Sequence, residues 1–356
     1  MTASAVITGW GFYVPRSVLT NRDLESRIDT TDAWIVERTG IRERHIVSDG
    51  EATASMAANA ARAALDRAGI AAGDLDAVMV ATTTADHLVP TAACLVQEQI
   101  GARRAAVFDL GAACAGFVYG IAVAKGLIAS GAARGVLLVA AETISRFIDW
   151  SDRSTCVLFG DGAGAVVIEA SDGRPGIRGT VLRGDGTKRH ALWVEGGGSL
   201  MVHLDGPSGQ MYRLRMDGQD VFKLAVPSMA RACEEVLAAE GLRIGDVTLL
   251  VPHQANLRII EAVGKRLGID RARVFVNIER YGNTSAASIP IALCEAVDQG
   301  RVRPGDLVLM CAFGGGMTWG AALVEWSGGV LATGAPGLRD RARSQLRRSH
   351  GALDPR

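Results

Sequence analysis

The stretch Gly69–Thr83 reads GIAAGDLDAVMVATT, and Gly241–Gln254 repeats it as GLRIGDVTLLVPHQ. Each begins with Gly, passes a Gly-Asp turn and enters an apolar run of strand character. Two more echoes follow in the same order. IGARRAAVFDL (Ile100–Leu110) is matched by LGIDRARVFVNI (Leu267–Ile278), and AGAVVIEAS (Ala163–Ser171) by WGAALVEWS (Trp319–Ser327). A spacing of roughly 160–170 residues is far too long for a solenoid repeat and points instead to a duplicated α/β unit. The strand-like runs DAVMVATTT, RGVLLVAAE and GAVVIEAS alternate with Ala-rich helical stretches such as ATASMAANAARAALDRAG, as a layered α/β architecture requires. A site between two such halves is the natural expectation.

Turn residues collect at SDGRPG (Ser171–Gly176), which sets the division: residues 1–174 as the first half, 175–326 as the second, and 327–356 as a tail carrying six Arg against two Asp. The Gly-rich segment Arg183–Gln210 reads as a surface connection or lid. The 356 residues are 48% hydrophobic, enough for a large core, and Lys+Arg and Asp+Glu are both 38. That balance gives no reason to expect nucleic acid or a membrane surface as partner. The start MTASAVITGWGFYVP lacks signal-peptide character, and no apolar run reaches spanning length, so a cytoplasmic location is expected.

Six cysteines, the closest pair 17 residues apart and none in a C-x-x-C pair, offer no metal or cluster motif. A free cysteine is ordinarily a core filler. Cys114, however, lies in VFDLGAACAGFVYG, where a strand gives way to small residues and then to a helix. A thiolate there would be favoured by the helix N-terminus, with room beside the sulfur for a carbonyl. Of the six histidines, His253 alone closes a strong apolar strand in a polar context (VTLLVPHQANLRII), at the point where the echo places Ala81. Asn283 sits in the turn YGNTSAAS, where it would serve equally as a helix cap. Gly314–Gly316 follow a strand and could present N–H groups to an oxyanion.

Taken together, TTDAWIVERTGIRERH, FDLGAACAGFVYG, FGDGAGAVVIEAS, VPHQANLRII, YGNTSAASIP and AFGGGMTWG resemble the β-ketoacyl-acyl-carrier-protein synthase III family of the thiolase superfamily, from about Val6 to Trp326. The resemblance implies a duplicated five-layered α-β-α-β-α fold, a homodimer, and no cofactor or metal beyond the acyl-CoA substrate. It implies Cys114 as nucleophile with His253 and Asn283 as partners, and the N–H groups of Cys114 and Gly315 as oxyanion hole. It assigns Thr30, Trp34, Arg38, Arg153, Gly218, Phe222 and Asn256 to coenzyme A. Val89 (from the second subunit), Ile144 and Phe159 would line the acyl pocket, and Lys223, Arg258, Lys265 and Arg266 would meet the acyl carrier protein. The implied reaction is acylation of Cys114 followed by decarboxylative condensation with malonyl-acyl carrier protein, starting fatty-acid or polyketide chains. The alternative is acyl transfer to a hydroxyl or amine without decarboxylation. Val89, where the family often has Phe, and SRFIDWSDRST depart from the housekeeping pattern and leave the acyl group open.

Overall fold

The computed structural model describes residues 4–171, 173, 176–196, 198–199 and 213–329. Most of the tail expected at 327–356, and the later part of the Gly-rich connection, lie outside them. Two principal sheets form the frame. The first holds β1 (Ser4–Tyr13), β2 (Ala77–Ala81), β3 (Ala106–Leu110), β4 (Gly135–Glu142) and β5 (Gly162–Ser171) in the order β1-β5-β4-β2-β3. The second holds β6 (Ile177–Gly184), β7 (Leu249–Pro252), β8 (Leu307–Gly314) and β9 (Thr318–Glu325) in the order β7-β8-β9-β6.

The two orders are the same order. β4 runs parallel to β2 and antiparallel to β5, which is antiparallel to β1. Likewise β8 runs parallel to β7 and antiparallel to β9, which is antiparallel to β6. The first echo falls on β2 and β7, the third on β5 and β9. The second differs between halves: Ala106–Leu110 is a full strand beside β2, whereas its counterpart makes one parallel bridge, Leu250 to Val274. There the buried Gln254 side chain accepts from the Asn277 N–H at 3.1 Å, and the chain turns into a short helix at Ile278 instead of extending.

Among the described residues, seven helices of eight or more residues complete the layers: α1 (Asp32–Thr39), α2 (Thr53–Ala68), α3 (Ala92–Ile100), α4 (Gly116–Ala129), α5 (Gly218–Ala239), α6 (Leu257–Leu267) and α7 (Ser288–Asp298). Helices α4 and α7 pack between the sheets, α2 and α3 cover the outer face of the first, and α5 and α6 that of the second. The sequence explains the placement. α4 is apolar nearly all round and buries Phe117, Val118, Ile121 and Ile128, as a central helix must, while α6 carries one apolar stripe of Ile259, Ile260, Val263 and Leu267. The result is the five-layered α-β-α-β-α arrangement. Among the described residues no helix is long and apolar enough to cross a membrane.

One buried cation ties the small two-stranded sheet of Val18–Thr20 and Glu43–His45 to this frame. Arg44 is fully buried and donates to the carbonyls of Leu19 at 3.1 Å and Val157 at 2.7 Å and to the Asn21 side chain at 2.9 Å. Burial lowers its pKa to about 10, so the guanidinium stays charged at neutral pH. Three oxygens accept from its terminal nitrogens in place of a carboxylate, while Nε is buried without a partner, and the bonds hold the Val157–Phe159 segment against Val18–Thr20.

Candidate active site

Cys114, His253 and Asn283 come from three separate chain segments and line one cavity of about 770 Å³. Cys114 lies in the one-turn 3-10 helix Ala113–Ala115 that leads from β3 into α4, so it stands at a helix N-terminus as its sequence suggests. Two contacts fix the turn. Thr318 Oγ1 donates to the Ala112 carbonyl at 2.7 Å, and Gly314 packs directly against the backbone of Cys114. A Cβ on Gly314 would lie 2.5 Å from the Cys114 nitrogen, so the strand end can approach this closely only as glycine. Gly314→Ala is therefore expected to displace the sulfur and slow acylation roughly 100-fold, a loss readable by rapid-quench mass spectrometry. Acylation within threefold of wild type would show that the turn tolerates the shift.

His253 continues the β7–β8 pairing, its N–H bonded to the Cys311 carbonyl at 2.8 Å. Its Nδ1 lies 2.6 Å from Ser288 Oγ, which also accepts from the Gln254 N–H at 3.3 Å. Ser288 can donate to Nδ1, and the tautomer in which it does so carries the imidazole proton on Nε2. Burial lowers the His253 pKa to about 3, so the ring is neutral at physiological pH. Asn283 pairs by its backbone with Leu158 and Gly160, and its Oδ1 accepts from the Ser285 N–H at 2.9 Å. With the oxygen engaged, the Nδ2 hydrogens remain to donate. The two side chains are thus set as hydrogen-bond donors.

Two neighbours went unnoticed in the sequence. Ser285 Oγ lies 3.4 Å from Cys114 Sγ and 3.2 Å from Glu142 Oε1. Glu142 is wholly buried at the end of β4 and accepts from Thr84 Oγ1 at 2.7 Å and from the Thr83 N–H and hydroxyl at 3.1–3.2 Å. A carboxylate closing the apolar run RGVLLVAAE was the available signal. Ala113 (φ 46°), which precedes Cys114, and Ser285 (φ 52°), which contacts its sulfur, are both non-glycine residues in the left-handed region.

The electrostatics correct one expectation. Burial, with the nearby Glu142 charge adding to it and the Ser285 hydroxyl pulling the other way, raises the Cys114 pKa to about 12, so the sulfur rests as a thiol. Burial raises Glu142 to about 7, although the threonine and serine donors pull the other way. Its folded pKa exceeds the ordinary 4.5, so the folded chain binds this proton more tightly. That contribution to stability is complete below pH ~4.5 and is lost as pH rises through ~7. Glu142→Gln removes the loss, and its gain in Tm over wild type should be larger at pH 8.5 than at pH 5, by up to about 3 kcal/mol in unfolding free energy. An equal gain at both pH values would show that the buried carboxylate is not titrating in this window.

Of the other anticipated residues, Phe159, Gly218, Phe222, Lys223, Asn256 and Arg258 line the same cavity. Trp34, Arg38 and Arg153 cluster outside its lining, with both guanidinium groups over the indole ring at 4.5 and 4.7 Å from its centroid. Asn256 joins the two groups, capping α6 and donating to the Arg38 carbonyl at 3.1 Å. Thr30 lies beside Trp34 in sequence, its Oγ1 buried without a hydrogen-bond partner. Ile144 is buried in the core cluster outside the cavity lining, Val89 is 87% exposed, and Lys265 and Arg266 are exposed in the last turn of α6. Gly315 follows β8 and also lies outside the lining, with no room for a Cβ against the Leu192 carbonyl. Among the described residues no cluster of His, Cys, Asp or Glu could hold a metal ion.

Doubled sheets enclosing two central helices, with a cysteine at the N-terminus of one of them, define a thiolase-like fold. Family models for 3-Oxoacyl-[acyl-carrier-protein (ACP)] synthase III match residues 108–186, and for its C terminal residues 237–326. The chain is 53% identical over 331 residues to the β-ketoacyl-[acyl-carrier-protein] synthase III of Roseiflexus castenholzii, covering 92% of this chain and 100% of that one. The crystal structure of 3-oxoacyl-[acyl-carrier-protein] synthase III from Aquifex aeolicus superposes with a TM-score of 0.84 at 47% identity, covering 90% of this chain and 100% of that one. The priming β-ketosynthase of the R1128 polyketide biosynthetic pathway superposes with 0.87 at 39% identity, covering 92% and 98%. The chain belongs to the β-ketoacyl-acyl-carrier-protein synthase III family.

Proposed function

We propose that this chain is a condensing enzyme that starts acyl chains: an acyl-CoA acylates Cys114, and malonyl-acyl carrier protein then condenses with the acyl group as CO2 leaves. The meeting of Cys114, His253 and Asn283 on one cavity carries the reading. In the first half-reaction the sulfur attacks the thioester carbonyl and CoA departs. In the second, Nε2–H of His253 and Nδ2–H of Asn283 donate to the malonyl thioester oxygen, stabilising the enolate that decarboxylation produces. Neutral donors suit this role, since each meets charge only as it develops. Both substrates bring their own activated thioester, so the chemistry calls for no cofactor.

The arrangement of the cavity supports the substrate assignment. Gly218, Phe222 and Asn256 line a passage suited to a pantetheine arm, and the Trp34–Arg38–Arg153 cluster beyond it suits an adenine ring and phosphates. Lys223 and Arg258 at this cavity, with Lys265 and Arg266 farther along α6, offer positive charge to an acidic carrier protein. Leu88 and Val89, in the segment between β2 and α3, are 84% and 87% exposed, a surface suited to a second copy of this chain in a homodimer that brings Val89 to the partner's acyl pocket. A cytoplasmic enzyme built from residues 1–174 and 175–326 as paired halves fits this reading.

The test is stoichiometry. Given an acyl-CoA and malonyl-acyl carrier protein, the protein should release one CoA and one CO2 for each β-ketoacyl-carrier product. Release of CoA without CO2, with the acyl group found on an added alcohol or amine, would establish the non-decarboxylating alternative instead.

A further inference from the structure

We infer that Ser285 and Glu142 form a proton relay to Cys114, taking the thiol proton during acylation and returning it when the sulfur leaves. The inference rests on the acyl-transfer reading above. It begins with an unfilled role. Cys114 is a buried thiol and must lose its proton to attack, yet the enolate step proposed above needs Nε2–H on His253, whose other nitrogen is engaged by Ser288. A ring in that tautomer donates and has no lone pair facing the cavity to accept with. The helix end favours negative charge on sulfur but takes up no proton.

Ser285 supplies the path. Its hydroxyl has a single hydrogen and lies between Sγ at 3.4 Å and Glu142 Oε1 at 3.2 Å, so it can donate to only one of them at a time. With Glu142 ionised, Ser285 donates to the carboxylate and its oxygen is open to the S–H. With Glu142 protonated, the direction reverses and Ser285 donates to sulfur. The backbone N–H of Ser285, held by Asn283 Oδ1, keeps the serine in its left-handed conformation and so fixes the hydroxyl between the two.

The surroundings of Glu142 suit it to change charge. Thr82, Thr83 and Thr84 after β2 contact the carboxylate, and Thr53 of α2 and the Thr143 N–H bind Thr84 behind it. All are neutral. Cys114, across Ser285, is the titratable group facing it, and among the described residues no cation forms an ion pair with it. An unpaired buried carboxylate is a better proton acceptor than an ordinary one. Protonating it also removes the negative charge that opposes ionisation of Cys114.

The steps balance. As Sγ bonds the acyl carbon and the carbon–sulfur bond to CoA breaks, the thiol proton passes to Ser285 Oγ and the serine's own proton to Glu142 Oε1. CoA leaves as a thiolate and takes a proton from water. In the condensation, the carbanion left by CO2 bonds the acyl carbon and the bond to Sγ breaks. Glu142 then returns its proton through Ser285 to the sulfur.

Ser285→Ala and Glu142→Gln test the relay on the full-length protein, with an acyl-CoA from a C2–C8 panel that loads the wild type. Single-turnover acylation, read by rapid-quench intact mass, should slow about 100-fold in either variant relative to malonyl-carrier decarboxylation in the same preparation. The wild-type acylation rate should rise with pH through an ionisation near 7, and Glu142→Gln should lack that limb. Acylation within threefold of wild type with the limb retained would overturn the relay, as would acylation and decarboxylation falling together. Should Glu142→Gln fail to fold, Ser285→Ala carries the test by the same ratio. A wild-type protein that forms no acyl-enzyme with any member of the panel would overturn the function reading and the relay with it, an outcome the variants alone cannot produce.

Discussion

Cys114→Ala is expected to form no acyl-enzyme with any acyl-CoA and to lose condensation by at least about four orders of magnitude, since the reaction has no second route to a covalent intermediate. Loss of the sulfur should spare decarboxylation in large part, because the donors proposed for the malonyl thioester are on other segments. Intact mass spectrometry and CO2 release separate the two effects. A variant that still gains the acyl mass would place the nucleophile elsewhere, and the five other free cysteines would become candidates.

His253→Ala and Asn283→Asp should give the opposite pattern. Each removes a donor that the proposed mechanism aims at developing negative charge, and the aspartate adds a charge of the wrong sign. Decarboxylation and condensation should fall roughly 100- to 1,000-fold, while Cys114 still acquires its acyl group. The lowered pKa of His253 sharpens the expectation, because a ring that remains neutral down to about pH 3 contributes its N–H across the whole working range. Decarboxylation unchanged in both variants would remove these residues from the enolate step.

Much of this molecule is legible in the amino-acid sequence, and the reason is duplication. Echoes of GIAAGDLDAVMVATT and AGAVVIEAS mark corresponding strands, and the shared strand order follows from them. The turn carrying Cys114 is equally open to reading, because a strand, a run of small residues and an apolar helix leave one place for the sulfur. The departure at Val274 was not visible there: what stops that segment from pairing as a strand is the buried side chain of Gln254, a tertiary contact across 23 residues.

The site divides the same way. His253 and Asn283 stand where an apolar strand ends and where a Gly-Asn-Thr-Ser turn precedes a helix, positions that leave other roles open, and it is the family resemblance that singles them out. Glu142 is not so marked, because its significance comes from burial and from Ser285, which is 143 residues away. The charge state of Cys114 is likewise a property of the folded interior. A helix N-terminus can be read from the chain, but the desolvation that raises the thiol pKa arises only once the layers close. Glu142 also costs stability above neutral pH, the sort of local penalty that a working site retains.

The measurement that bears most directly on the account is a chase on the intact protein. Wild type loaded with an acyl-CoA should gain one acyl mass, located by peptide mapping on Cys114. Adding malonyl-acyl carrier protein should then discharge that mass completely, with one CO2 and one β-ketoacyl-carrier product per site. An acyl mass on another residue, or a Cys114 adduct that malonyl-acyl carrier protein leaves in place, would contradict it.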